Sequence, residues 1–205
     1  MQRKIFDVLA SAGGLVMVVV LVVAGGLLMW GYSFANSNVH NQLSEQQIVF
    51  PAKAAFAHPV AGSEITPSMI GTVSTYAGQP LVTGQEAAVY ANDFIAVHLQ
   101  EIGGGKTYAQ LSAAAMALPK GSAAYTAAEA KVQTVFQGTT LRGLLLEAYA
   151  FGTFATIALI AAIAAFILAG VMALLVAFGF WHARRTTSEA ELAIHAEAER
   201  VLIAT

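Results

Sequence analysis

Chemistry in this chain would have to come from few groups. Outside its apolar stretches stand His40, His58 and His98, with Glu45, Glu64, Glu86, Asp93, Glu101, Glu129 and Glu147 as the available carboxylates. Imidazole and carboxylate hold zinc or non-haem iron when several converge on one point. No His pair here has the i, i+4 spacing of a helical zinc motif, and His98 with Glu101 at i, i+3 is a pairing that any helix produces by chance. His98 therefore reads as the edge of an apolar stripe, and His40 and His58 as exposed polar residues. Gly103-Gly104-Gly105-Lys106-Thr107 has the look of a phosphate loop, but it lacks the first Gly at the required offset and follows a helical pattern rather than a strand. Its simpler reading is a helix stop and restart. No Ser stands in a G-x-S-x-G context, and the absence of Cys removes disulfides, thiolate nucleophiles and iron-sulfur ligation together. The residues point to no catalytic site, no metal and no cofactor.

The elements that carry these groups are set by composition. Of 205 residues, 57% are apolar and 11% charged, and the mean hydropathy is +0.65, which favours a membrane class. A formal charge of -2 without a basic cluster leaves no footprint for nucleic acid. Two stretches, Ala12 to Tyr32 and Ala148 to Trp181, contain no Asp, Glu, Lys or Arg. The first span, read as 13–32, is about 20 residues long and matches roughly 30 Å of hydrocarbon. Arg3 and Lys4 precede it and Trp30 and Tyr32 close it, so positive charge and aromatic belt agree on an N-terminus in the cytoplasm. A cleaved signal peptide is the rival reading, with small residues at Ser33-Phe34-Ala35; the length of the apolar stretch favours an uncleaved anchor. The second span, 148–181, is longer than a bilayer needs and must tilt or project. Tyr149 marks its outer end, and Trp181, Arg184 and Arg185 its inner end. Neither span holds an ionisable residue or a His, which disfavours an ion pathway or a haem between them. Ala161, Ala165, Ala169, Ala173 and Ala177 repeat every four residues with Gly170 alongside, a small-residue stripe that could seat another helix, with Gly13, Gly14, Gly25 and Gly26 lowering the bulk of the first span.

Between the spans, 33–147 reads as a helical extracytoplasmic domain. Asn36 to Ile48 extends the first span and ends before Phe50-Pro51. The stretch 52–79 is the least regular, with Thr66-Pro67 suited to start a short helix. Thr83-Gly84-Gln85-Glu86 fits a capping box, followed by an apolar stripe of Ala87, Ala91, Phe94, Ile95, His98 and Ile102 and a stop at Gly103 to Gly105. A further helix is expected over about 107–118, and another from Ser122 to Phe136, with a break at Gly138-Thr139-Thr140. In the cytoplasmic tail, 182–205, Ser188 to Glu191 fits a second capping box that could open a short helix through Val201 and Leu202. The fold expected is an all-α membrane protein, two transmembrane helices flanking a helical extracytoplasmic domain, with 1–12 and the tail in the cytoplasm.

Four phrases carry a resemblance: VVAGGLLMWGYSF at 22–34, TGQEAAVYANDFIAVHLQEIGGGKTYAQ at 83–110, FQGTTLRGLLLEAYAFGT at 136–153 and FWHARR at 180–185. In these the chain resembles a group of actinobacterial two-pass membrane proteins of unknown function, over most of its length. Members often carry the label aromatic ring-opening dioxygenase. Extradiol ring cleavage needs iron held by two His and a carboxylate; the His residues here are scattered over separate elements and give that label no support. The resemblance implies the two-pass arrangement in a bacterial plasma membrane and supplies no functional residues. Two roles fit: a non-enzymatic accessory or scaffold whose external domain binds a membrane or envelope protein or a second copy, and an extracytoplasmic sensor acting through a separate protein. The tail after Arg185 is too short for an output domain of its own.

The topology is directly measurable because the chain has no Cys. Single cysteines at Ser44 and Ser112 are expected to react with a membrane-impermeant maleimide in cells stripped of outer barriers, and one at Thr187 is not. External labelling at Thr187 would sink the two-span reading.

Overall fold

The computed structural model describes residues 2–185, with side chains from residue 5. The Arg3 and Lys4 side chains and the expected tail helix lie outside the described residues. All regular structure among the described residues is helical. Helix α1 is Gln2–Glu45; after a turn-rich stretch come α2, Gly84–Val89, a π-helical segment, Tyr90–Ile95, and α3, Ala96–Gly103. Then follow α4, Tyr108–Met116, and α5, Ala123–Arg185. Two helices, α1 and α5, are long and apolar enough to cross a membrane. The chain divides into two compact units, one of residues 1–31 and 157–205, the other of residues 32–156.

In the first unit, α1 and α5 lie antiparallel, since Asp7 meets His182, Gly14 meets Val176 and Gly25 meets Phe166. The seam residues on α5 are Ala162, Ala165, Ala169, Met172, Val176, Gly179 and Ala183, at spacings of three and four. On α1, Asp7, Ser11, Gly14, Val18, Leu21, Gly25 and Leu28 recur the same way. That 3.5-residue period is a coiled-coil seam. It corrects the small-residue stripe expected at every fourth position: Ala165 and Ala169 are buried and Ala161 is half-buried, but Gly170, Ala173 and Ala177 are exposed. A period of four advances about 40° per step past a full turn, so over the length of the stripe it winds to the far side of the helix. Of the first-span glycines, Gly14 and Gly25 stand in the seam. A Cβ on Gly14 would stand 2.6 Å from a Val176 methyl, and one on Gly25 2.9 Å from the Phe166 ring, whereas Gly13 and Gly26 face open space. Outside the seam the apolar side chains point outward, among them Val16, Val23, Ile160, Leu168 and Leu174.

The second unit has a core of Phe50, Met69, Val73 and Leu81, joined by Val39 and Leu43 of α1, Ala87, Ala91 and Ile95 of the helix that follows, and Leu145 of α5. Gln47 ends the α1 turn with a positive φ of 51°. The chain then pairs briefly with the stretch before α2: Phe50 N donates to Gln79 O at 2.9 Å and Leu81 N to Ile48 O at 2.9 Å. These ties pin two of the most buried side chains. The irregular stretch resolves into short 3-10 turns, one beginning at Pro67 as expected, although the Thr66 hydroxyl pairs with Ser68 instead of capping it.

The Thr83 box forms as expected, with Glu86 accepting from Thr83 N at 2.8 Å and Thr83 Oγ1 accepting from Glu86 N at 3.3 Å. Thr107 and Gln110 make a second box at the start of α4. Gly104 ends α3 in the left-handed region at φ 60°, where a Cβ is costly. The stripe along this helix differs from expectation. The i→i+5 bonding of the π segment widens the turn, so burial steps by four through Ala87, Ala91, Ile95 and, half-buried, Leu99, while Ile102 is exposed. The expected break at Gly138 to Thr140 is absent, and α5 runs unbroken through it. Leu99 packs where a Gly138 side chain would stand, and Thr140 Oγ1 donates to Phe136 O at 2.9 Å, so both residues are accommodated within the helix.

Helix α2 meets α5 backbone to backbone. A Cβ on Gly84 would stand 3.0 Å from Ala148 O and 3.3 Å from Gly152 Cα. Gly84→Val is therefore expected to destabilise the second unit by about 1–3 kcal/mol, because backbone on α5 cannot yield. Gly143→Ala, which faces open space on the same helix, is expected to be neutral or to stabilise by up to about 1 kcal/mol. Thermal unfolding of the two variants in detergent checks the pair; equal melting temperatures would rule out the close crossing.

Candidate functional site

The groups that sequence singles out for chemistry are not brought together. His40 and His58 are exposed. His98 is half-buried, its Nδ1 2.8 Å from Phe94 O. Glu101 accepts from Gly62 N at 3.3 Å, tying the irregular stretch to α3. Glu86 is consumed by helix capping, where it also accepts from Val82 N at 2.8 Å. No group of three or more His, Asp or Glu side chains among the described residues is placed to hold a metal ion.

What the second unit builds instead is an aromatic column. Phe50 stacks on Tyr76 at 5.2 Å between centroids and meets Tyr90 edge-on at 5.3 Å. Tyr90 continues to Phe94 at 4.7 Å, and Phe94 to His98 at 4.6 Å. Such contacts add to area burial because ring edges meet ring faces. Burial, and secondarily the charge of Glu64, hold the Tyr90 phenol above its ordinary pKa. Within Tyr90–Ile95, Ala91 and Ile95 thus belong to the core, with Tyr90 and Phe94 half-buried against it.

Arg142 of α5 clamps the π turn. Its Nε donates to Ala91 O at 3.2 Å and its Nη2 to Asn92 Oδ1 at 2.8 Å. Sequence reasoning passed over Arg142, whose signal is a lone guanidinium in a Leu-rich run. A planar fork suits two acceptors held side by side.

Two concave surfaces of this unit lie among the described residues beside its helices. A cleft of about 520 Å³ lies beside α4 and is lined by Leu99, Lys106, Thr107, Tyr108, Val135 and Thr139. Tyr108 and Phe136, both exposed, meet at its side as a tilted pair with centroids 5.5 Å apart. A groove of about 580 Å³ separates residues 34–48 from residues 141–151. Both volumes fall within the roughly 300–1,000 Å³ of small-molecule sites.

No protein-family model, curated protein or solved structure matches the chain.

The residues expected at the membrane interfaces are placed as follows. Tyr149 is exposed and Tyr32 half-buried in the second unit. In the first, Trp30 is exposed, and Trp181 carries Phe178 on one side at 5.5 Å and the Arg185 guanidinium over its ring at 4.0 Å. Arg184 is exposed. Asp7 Oδ2 lies 3.2 Å from His182 Nδ1, the one pair of ionisable side chains in ion-pair reach among the described residues of this unit.

Tyr90 has a pH signature. Below the ordinary tyrosine pKa near 10 both folded and unfolded chains keep the phenol protonated, so it contributes no slope there. Above that value the unfolded chain ionises first, and stability is expected to fall as pH rises toward the folded pKa. Tyr90→Phe is expected to flatten this alkaline loss in melts taken across pH 9 to 11; an unchanged slope would place the cause elsewhere.

Proposed function

We propose that the protein is a non-enzymatic accessory of a bacterial plasma membrane, with both termini cytoplasmic, whose external helical unit binds a membrane or envelope protein. Its two long helices expose branched and aromatic side chains around nearly their whole circumference, which suits lipid as a solvent. Aromatic residues and Arg184 and Arg185 at the ends of these helices favour the inside orientation of the tail. The observation that carries the docking role is the Tyr108 and Phe136 pair beside the α4 cleft. Exposed aromatics in contact next to a concavity are the residue type and setting of interface hot spots. The bonds of Glu86 and Glu101 to backbone amides favour structural over catalytic work for these carboxylates.

A sensor acting through a separate protein is the second reading. It is favoured by the ligand-sized groove between the outer half of α1 and α5, because both helices run on into the apolar stretches.

Co-purification in mild detergent tests the docking role. Tyr108→Ala with Phe136→Ala is expected to cut partner recovery by roughly tenfold or more, the scale of a small hot spot. Ala165→Leu with Ala169→Leu is expected to weaken the α1 and α5 seam, while His40→Ala and His58→Ala leave recovery and phenotype unchanged. Full partner recovery in the aromatic variant, with function lost in a His variant, would overturn the scaffold reading.

A further inference from the structure

We infer that the groove between residues 34–48 and 141–151 holds one acyl chain of a bilayer phospholipid, with an ammonium head group against Glu147. The inference rests on the membrane placement proposed above. Its floor is apolar and buried, made by Val39 and Leu145, and Leu141, Leu144 and Phe151 form an exposed apolar wall on α5. Asn38 and Gln42 stand a turn apart on α1, with Gln46 in the turn just after it, and Gln42 Nε2 donates to Asn38 Oδ1 at 2.6 Å. The groove therefore has an apolar side for a chain and an amide rim able to hydrogen-bond a head group.

Position selects a lipid over a water-borne ligand. Phe34 and Phe151 close one end of the groove, and each follows an interfacial tyrosine, Tyr32 and Tyr149, by two residues. Such tyrosines sit at head-group level, so the groove begins where the bilayer surface would end. Residues 34–45 of α1 extend about 17 Å at 1.5 Å per residue, a length over which an acyl chain can lie. Asn38 and Glu147 stand at matching heights, each four residues beyond its Phe. Charge then selects the head group. Glu147 is the one charged residue lining the groove, and no Lys or Arg lines it, so a primary ammonium is favoured and an anionic head is not.

The test uses the full chain in nanodiscs containing phosphatidylethanolamine with a diazirine at the end of one acyl chain, or phosphatidylglycerol with the same chain. After irradiation, crosslinked peptides are mapped. Crosslinks are expected on 34–48 and 141–151 as well as on the apolar stretches, with phosphatidylethanolamine favoured at the groove by about threefold, the scale of a partly exposed ion pair. Glu147→Gln should erase that preference. Ala148→Trp should fill the groove and remove most groove crosslinks while those on the apolar stretches persist; Leu144→Asn, a milder exposed change, should lower them without risk to folding. Crosslinks on the apolar stretches alone would overturn the groove assignment and leave the membrane reading standing. Equal labelling by the two lipids would overturn the head-group assignment, and no labelling of the apolar stretches would overturn the membrane reading on which both depend.

Discussion

Close approach of helices through small side chains is the constraint on which both units depend. Hydrocarbon would offer two helices no hydrophobic gain on pairing, so association there would need dispersion contacts over a tight seam. Gly14 and Gly25 let Val176 and Phe166 descend onto the α1 backbone, while Ala162, Ala165 and Ala169 keep the facing side equally low. In the other unit Gly84 and Gly152 do the same for α2 and α5. A methyl group at any of the tightest of these points would meet either backbone or a packed side chain.

Narrow seams leave wide outer surfaces. Because each long helix of the first unit spends only one stripe on its mate, most of its branched side chains face outward, a distribution that water would penalise and lipid would not. The second unit follows the opposite rule. Its apolar residues converge on Phe50, Met69 and Leu81, and its backbone groups in the irregular stretch find partners in turns, in the brief pairing of residues 48–50 with 79–81, and in Glu86 and Glu101. Glu86 and Glu101 thereby hold a helix end and a loop.

The π segment ties these features together. Widening the turn at Tyr90–Ile95 keeps Ala91 and Ile95 on the core side and lines up Tyr90, Phe94 and His98 as neighbours in the aromatic column. It also leaves the Ala91 carbonyl and Asn92 amide where one guanidinium can reach both. Arg142 thus couples the middle of the unit to α5, the helix that also forms one wall of the groove and carries Phe136 beside the cleft. Both candidate binding surfaces are lined in part by α5.

Local signals in the sequence determined the helical class, the two apolar stretches, and the starts of α2 and α4. The Thr83 box, the Gly104 stop and the Thr107 start depend on residues within one turn of each other, and propensity and capping act at that range. Tertiary structure decided the rest. Gly138 looks like a break until Leu99 is packed against it, and the Ala repeat at every fourth residue looks like a seam until the pairing of α1 with α5 imposes a 3.5-residue period. The π turn and the Arg142 fork are likewise invisible in sequence, because nothing near Tyr90 reports a guanidinium 50 residues away. Contacts between distant segments select which of several locally allowed conformations is buried, and that selection is an energy of packing that no single segment contains.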